Sequence, residues 1–210
     1  MKQSSQLVLA IESAIAGGSI SLLKNGSEIA SWIGDGKVSK AEDLLANLDA
    51  ILRSNGISRR ELELVAVSAG PGSFTGIRIG IATALGIKNG LYIAMASEST
   101  LNAMAFAHEF RGNIAAVLPL GRNAVCFQEF TKVDCEITPS NEPRVISEDE
   151  LHSTINGNVD MRFLIHPTLG ERVSSLSNIT VFEKNLAFAI GVACEANRGF
   201  TPPIFLSKTF

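Results

Sequence analysis

The stretch from Leu64 to Lys88 limits the folds open to this chain more than any other. Leu64–Ser68 (LVAVS) is a short continuous apolar run, the pattern of a strand buried on both faces. Gly70-Pro-Gly-Ser-Phe-Thr-Gly-Ile-Arg-Ile-Gly80 follows it, and a helix is expected from about Phe74 to Lys88. A buried strand turned straight into a helix is the unit of a sheet covered by helices, so the chain reads as α/β.

The flanking segments agree with that unit. Leu7–Ser13 and Ser19–Lys24 read as strands joined at Gly17–Gly18, and Asn25–Gly26 is a type I′ hairpin signal leading into Glu28–Ile33. Leu44, Leu45, Leu48, Ile51 and Leu52 recur at helical spacing behind Ser39, which with Glu42 fits a capping box; Asn55–Gly56 stops the helix. Ser58-Arg-Arg-Glu61 marks a short turn. Tyr92–Met95 is expected as a strand and Ser97 to about His108 as a helix. The second half repeats the order more weakly. Strands are expected at Asn113–Pro119, Ala124–Phe130, Val133–Ile137, Arg162–Ile165 and Ile179–Phe182, with a loop at Thr138–Pro143. Helices are expected at Ser147–Ile155 and Asn185–Asn197. Two βββαβα-type lobes follow, divided as residues 1–110 and 111–210.

Composition excludes several classes. Hydrophobic residues at 46% are too many for a disordered chain. The weakly charged run Leu91–Met104 is broken by Ser97, Glu98, Ser99, Thr100 and Asn102, short of the roughly 20 apolar residues of a spanning helix. Met1–Gln6 is polar, without the apolar stretch of a secretory signal, so a cytoplasmic protein without membrane contact is expected. Eighteen basic and 21 acidic residues give a net charge of −3. The cations are scattered, with Arg59–Arg60 flanked by Glu61 and Glu63, which disfavours autonomous nucleic-acid binding. Cys126, Cys135 and Cys194 lack ligand spacing and read as reduced thiols in the core. His108, His152 and His166 stand apart, so no metal site is expected, and His108 reads as a cation at a helix end.

Two features carry chemistry. Gly70, Gly72, Ser73 and Thr75 lie where a strand meets a helix N-terminus, a place that favours anions, and Glu12 ends a buried strand; together they would hold phosphate or a Mg–nucleotide. The other reading is a structural turn, with Glu12 capping its own loop. The motif has no Gly-Lys-Ser/Thr and is not Gly-x-Gly-x-x-Gly. On the helix, Gly76, Gly80 and Ala84 lie four apart, and each interior glycine costs about 1 kcal/mol against alanine. Such a face needs close backbone approach, either to its own sheet or to a partner helix. In the second case Ile77 and Ile81 would form an apolar interface.

The eleven-residue motif resembles the signature of the bacterial TsaB (YeaZ) family. Leu9-Ala-Ile-Glu-Ser13 resembles that family's first strand, Ser97-Glu-Ser-Thr-Leu101 its helix start, and Pro203-Ile-Phe-Leu206 its closing motif. Glu12 stands where the family has Asp, Lys37-Val-Ser-Lys40 where it has His, and the second-lobe hairpin keeps Arg122 without the flanking acids. The resemblance implies an actin-like ATPase (ribonuclease H-like) fold and a non-catalytic subunit of the tRNA threonylcarbamoyladenosine machinery. It implies pairing with a TsaD catalytic subunit and a TsaE ATPase, a homodimer when alone, and contact with tRNA only through partners. Gly76, Ile77, Gly80, Ile81, Ala84, Leu45 and Leu48 would then form the helical interface. The alternatives are an independent actin-fold nucleotide enzyme binding ATP or ADP with Mg, and a diverged paralogue that only homodimerises.

Overall fold

The structure is a computed structural model describing residues 6–35, 40–121, 123–173 and 177–204, with the side chains of 40–43 and 171–173 left aside. Ser39 with Glu42, Lys37–Ser39, Arg122, Phe205 and Leu206 fall outside the described residues and side chains. Two compact units are present. The first runs to Thr100 and takes in Asn185–Ile204; the second holds Leu101–Lys184. The expected boundary at residue 110 is thereby corrected, as is the placing of the last helix in the second lobe.

The first unit is built on β1 (Leu7–Glu12), β2 (Ser19–Lys24) and β3 (Ser27–Ile33), an antiparallel meander. Asn25 and Gly26, both at positive φ (52° and 75°), turn β2 into β3 as the dipeptide required. β4 (Leu64–Ser68) adds parallel to β1 and β5 (Ala94–Glu98) parallel to β4, giving the order β3-β2-β1-β4-β5. One face of this sheet, with Leu9, Ile11, Ile20, Leu22, Val65 and Val67, is covered by α1 (Lys40–Ser54) and α2 (Phe74–Leu91). Leu44, Leu48, Ile51 and Leu52 of α1 and Ala84 of α2 complete that core. Each buried side chain of leucine size contributes about 1.5–3 kcal/mol.

The opposite face receives a helix from the far end of the sequence. A Cβ at Gly191 would stand 2.5 Å from Leu23 Cδ1 and 3.1 Å from Ala10 Cβ, so glycine lets this helix lie directly on β1 and β2. Asn185 caps it through Ala187 N–H (2.8 Å) and donates to Ile20 O (3.2 Å). The expected strand at Tyr92–Met95 begins instead at Ala94 and runs to Glu98. Pairing of Val67 with Ser97 and Ser68 with Glu98 prolongs it past the point where local propensity suggested a helix. α3 accordingly spans Thr100–Ala107.

The second unit repeats the plan. β6 (Gly112–Pro119), β7 (Ala124–Val133) and β8 (Glu136–Pro139) form a meander, with β9 (Arg144–Ser147) also pairing on β7. After α4 (Glu148–Gly157), β10 (Arg162–Ile165) joins β6 in parallel, α5 (Pro167–Val173) follows, and β11 (Ile179–Val181) joins β10. The order β8-β7-β6-β10-β11 matches the first sheet strand for strand. The helix placed on the first sheet is α6 (Leu186–Asn197). β9 and α5 were not legible, each being short and embedded in polar, Pro-containing sequence.

The α3 C-terminus is closed by lysine rather than histidine. Lys132, buried, donates to Phe106 O (2.6 Å), Ala105 O (3.2 Å) and His108 O, and Lys184 donates to Ala107 O (2.8 Å). His108 accepts from Phe110 N–H (3.0 Å), and burial, then Lys184 and Lys132, hold its pKa below the usual value. The expected cation there is therefore corrected. Cys126 and Cys194 are buried as expected, and burial pushes the Cys126 thiol up to about 12. Cys135 is exposed, in the β7–β8 turn beside Asp134 (φ 54°), and corrects the expectation of a core residue.

His166 opens α5, its Nδ1 accepting from Thr168 N–H (3.3 Å), and burial lowers its pKa from 6.5 to about 4. The unfolded chain binds this proton more readily than the native one. Its contribution is therefore present above pH 6.5 and lost as pH falls towards 4, by no more than about 3 kcal/mol. Urea titrations across that window should show the loss in the native chain and a flatter profile in His166→Asn, which keeps a capping acceptor.

Candidate functional site

The glycine motif is shaped by two close approaches to the end of β1. A Cβ at Gly72 would stand 2.5 Å from Ala14 O, and Ser73 N–H donates to that carbonyl at 2.7 Å. About two turns later a Cβ at Gly80 would overlap Ser13 Oγ, which donates to Gly76 O at 2.8 Å. Gly70 has φ of 91°, and its Cβ would meet Ile77 Cδ1 at 2.7 Å and Ile204 O at 2.9 Å. Its peptide bond to Pro71 is cis.

Several of the loop's backbone groups are bonded inside the first unit. Gly70 N–H donates to Ser68 Oγ (3.0 Å), Thr100 N–H to Gly70 O (2.8 Å), and Ile204 N–H to Ala69 O (2.7 Å). Ser73 caps α2 by accepting from Gly76 N–H at 3.2 Å.

Glu12, 1% exposed, bends its carboxylate onto the turn that follows β1. Oε1 accepts from Ala14 N–H (2.6 Å) and Ile15 N–H (2.9 Å). Adjacent turn amides of this kind are anion-binding groups, and here the chain's own carboxylate fills that role. Of the five residues expected to hold phosphate, Glu12, Gly72 and Ser73 gather around the β1 end, while Gly70 lies at the end of β4 against Ser68 and Ile77. Thr75 is exposed on the first turn of α2. Among the described residues no group of three or more His, Cys, Asp or Glu is placed to hold a metal ion.

The expected interface residues divide. Gly76, Ile77, Gly80 and Ala84 are buried on the side of α2 that faces its own sheet, with Val67 Cγ2 3.4 Å from the Gly80 Cβ position. The reading of this small-residue face as an intermolecular surface is corrected. Its physical purpose is to bring α2 down onto β1 and β4. Leu48 belongs to the core, Ile81 is half-buried, and Leu45 is 57% exposed.

An outward face was missed. Ala82, Gly86 and Gly90 repeat the spacing of four on the other side of α2, and a Cβ at Gly86 or Gly90 meets nothing within 4 Å. With Leu45, Leu48 and Leu52 of α1 they line a groove of about 710 Å³. At its rim Asp49 pairs with Arg53 (2.6 Å) and with Arg59, which holds the Asp49 carboxyl below the usual range. Sequence alone carries two stripes of equal spacing; Ile77, Ala84 and Leu91, seven apart, mark the inner one, and Asn89 beside Gly90 marks the outer.

The two stripes predict opposite signs for the same substitution. Gly80→Ala should cost about 1–3 kcal/mol through overpacking on Ser13, despite the better helix former. Gly86→Ala should gain up to about 1 kcal/mol. Urea unfolding of both variants against the native chain checks the pair.

Residues 38–154 match the family model described as TsaD: tRNA N6-adenosine threonylcarbamoyltransferase. The tRNA threonylcarbamoyladenosine biosynthesis protein TsaB of Escherichia coli is 35% identical over 98 residues, covering 47% of this chain and 42% of that protein. The TsaB of Haemophilus influenzae is 28% identical over 130 residues, covering 60% and 54%. The chain thus spans about half the length of the curated relatives it matches. Among solved structures, YeaZ from Pseudomonas aeruginosa superposes with a TM-score of 0.70 at 18% identity, over 96% of this chain and all of that one. The ethanolamine utilization protein EutJ from Carboxydothermus hydrogenoformans gives 0.52 at 11%, over 89% of each. The fold is therefore the actin-like ATPase fold that the resemblance implied.

Proposed function

Because the chain belongs to the family described as TsaD: tRNA N6-adenosine threonylcarbamoyltransferase, as a divergent TsaB (YeaZ) member, we propose that it serves tRNA threonylcarbamoyladenosine biosynthesis as a non-catalytic pairing subunit. Its partner in this reading is a TsaD-type catalytic protein, joined by a TsaE-type ATPase, with a homodimer as the form adopted alone and tRNA held by the partners in the cytoplasm.

The observation that carries the proposal is the groove between α1 and α2. A helix that turns Ala82, Gly86 and Gly90 outward forgoes about 1 kcal/mol of helix stability at each glycine and leaves a channel that its own core does not fill. Leu45 stands exposed on its lip. Small residues at a spacing of four admit a second helix to close packing, and exposed leucine supplies the apolar area for it. The docking face of this reading is thus made from Leu45, Ala82, Gly86 and Gly90, with Leu48 as its floor.

The reading assigns the chain no catalytic residue and no nucleotide of its own. It is supported there by Glu12, whose carboxylate already occupies the amides of Ala14 and Ile15. Calorimetry of the full chain with Mg-ATP should give no binding heat, whereas saturable binding would favour the nucleotide-enzyme alternative.

Gly86→Arg fills the groove without meeting any atom within 4 Å of its Cβ. The variant should keep the native far-UV spectrum and melting point. It should weaken association with the TsaD-type protein of the same organism at least about tenfold, equivalent to about 1.4 kcal/mol. Unchanged affinity in sedimentation or calorimetry contradicts the pairing face.

A further inference from the structure

Gly199–Ile204 lies on the first unit as a strap, apart from the helix that precedes it. α6 is capped by Arg198, which adopts the left-handed conformation (φ 47°) and donates its N–H to Cys194 O at 2.8 Å. Gly199 follows, and a Cβ there meets nothing within 4 Å. From this hinge the chain runs beside β5, pairing Phe200 with Ser97 in parallel, and then crosses to the end of β4.

The strap is held as a bound peptide would be, mostly through main-chain groups. Ser97 N–H donates to Gly199 O (3.1 Å), and Thr201 N–H donates to Ser97 O (3.1 Å) and Ser97 Oγ (3.0 Å). Ser97 Oγ donates to Thr201 O at 2.9 Å, and Thr201 Oγ1 to Glu98 Oε1 at 3.4 Å. Ile204 N–H donates to Ala69 O at 2.7 Å. Between these anchors stand Pro202 and Pro203, both exposed, which have no N–H to leave unpaired and favour an extended chain.

The receiving surface is part of the sheet. β5 is an edge strand, and an edge presents main-chain groups that take up an extended segment. Under the strap Ser97, Glu98 and Ala69 are all buried. Gly70 belongs to the same surface, since a Cβ there would stand 2.9 Å from Ile204 O. The first glycine of the motif thus makes room for the strap. The strap itself gives little to the fold: Phe200 is 63% exposed, and no strap residue belongs to the apolar core beneath α1 and α2. A segment tied at a few points beyond a hinge opens locally at lower cost than the sheet it covers.

We propose that the β5 edge, with Ala69 and Gly70 beside it, is a binding site for an extended peptide of another protein, and that the strap occupies this site in cis. The strap spells out the chemistry accepted there. A hydroxyl residue lies opposite Ser97 and Glu98, two prolines follow, and a β-branched aliphatic residue rests against Gly70. Tethering holds the strap at an effective concentration of roughly millimolar, so the native chain masks the site until a partner segment displaces it. The site shares no residue with the groove between α1 and α2 and does not depend on the pairing reading.

The probe is a labelled synthetic peptide of residues 198–204, Arg-Gly-Phe-Thr-Pro-Pro-Ile, titrated against the full chain by fluorescence anisotropy. The comparison is the full-length variant Thr201→Val/Ile204→Pro, which removes the strap's bonds to Glu98 and Ala69 and leaves the receiving residues intact. This variant should bind the peptide about tenfold or more tighter than the native chain, and a peptide carrying the same two changes about tenfold or more weakly. Hydrogen exchange gives a readout that needs no variant. Saturating peptide should speed exchange of the Thr201 and Ile204 amides of the native chain while Ser97 N–H stays protected. Equal affinity of native chain and variant, no binding to either, or equal binding of the two peptides overturns the proposal. So does self-association of the native chain that the variant abolishes, because the site would then belong to the strap of a second copy.

Discussion

The first unit depends on how tightly α2 and the loop before it press on the end of β1. Ser13 Oγ bonds to Gly76 O, Gly80 sits where any Cβ would collide with that hydroxyl, and Gly72 does the same against Ala14 O. Glu12 fixes the same corner from the other side through Ala14 and Ile15 N–H. A hydroxyl, a carboxylate and two glycines thus determine the height of α2 above the sheet. That height in turn decides which of its faces reach solvent.

From this constraint the surface chemistry follows. With Gly76, Gly80 and Ala84 committed to the sheet, Phe74, Arg78, Ala82, Leu85, Gly86 and Gly90 are left on the exposed faces of α2. One flank opens with α1 into a groove over Gly86 and Gly90; the other presents Phe74, Arg78, Ile81 and Leu85. A chain of net charge −3 places two cations and no acid on that helix, so its charge distribution is local rather than global. The motif that looks like a phosphate loop is, in this structure, what seats α2 against the end of β1.

Much of the architecture was legible in the sequence. The Asn25–Gly26 hairpin, the buried runs at Leu7–Glu12 and Leu64–Ser68, and the capping box at Ser58–Glu61 each have a local cause and appear where that cause places them. What escaped were features set by distant contacts. β5 extends to Glu98 because β4 pairs with it, and α6 leaves its sequence neighbours because Gly191 fits against Ala10 and Leu23. Around the site, the residues were found but their direction was not. Glycine spacing announces close approach without saying to what, and two stripes on one helix carried the same signal. Similarly, a carboxylate after a buried strand reads alike whether it holds a ligand or its own turn.

The central claim is that the outward faces of α2, with α1, are contact surfaces, while the Gly70–Ser73 loop is structural. Hydrogen–deuterium exchange of the full chain, alone and saturated with the TsaD-type protein of its organism, tests this most directly. The account predicts added protection over residues 45–52 and 79–91, with the Gly70 and Ser73 amides unchanged because they are already bonded within the unit. Protection confined to Gly70–Ser73 and the turn after Glu12, with α1 and α2 unaffected, would contradict it.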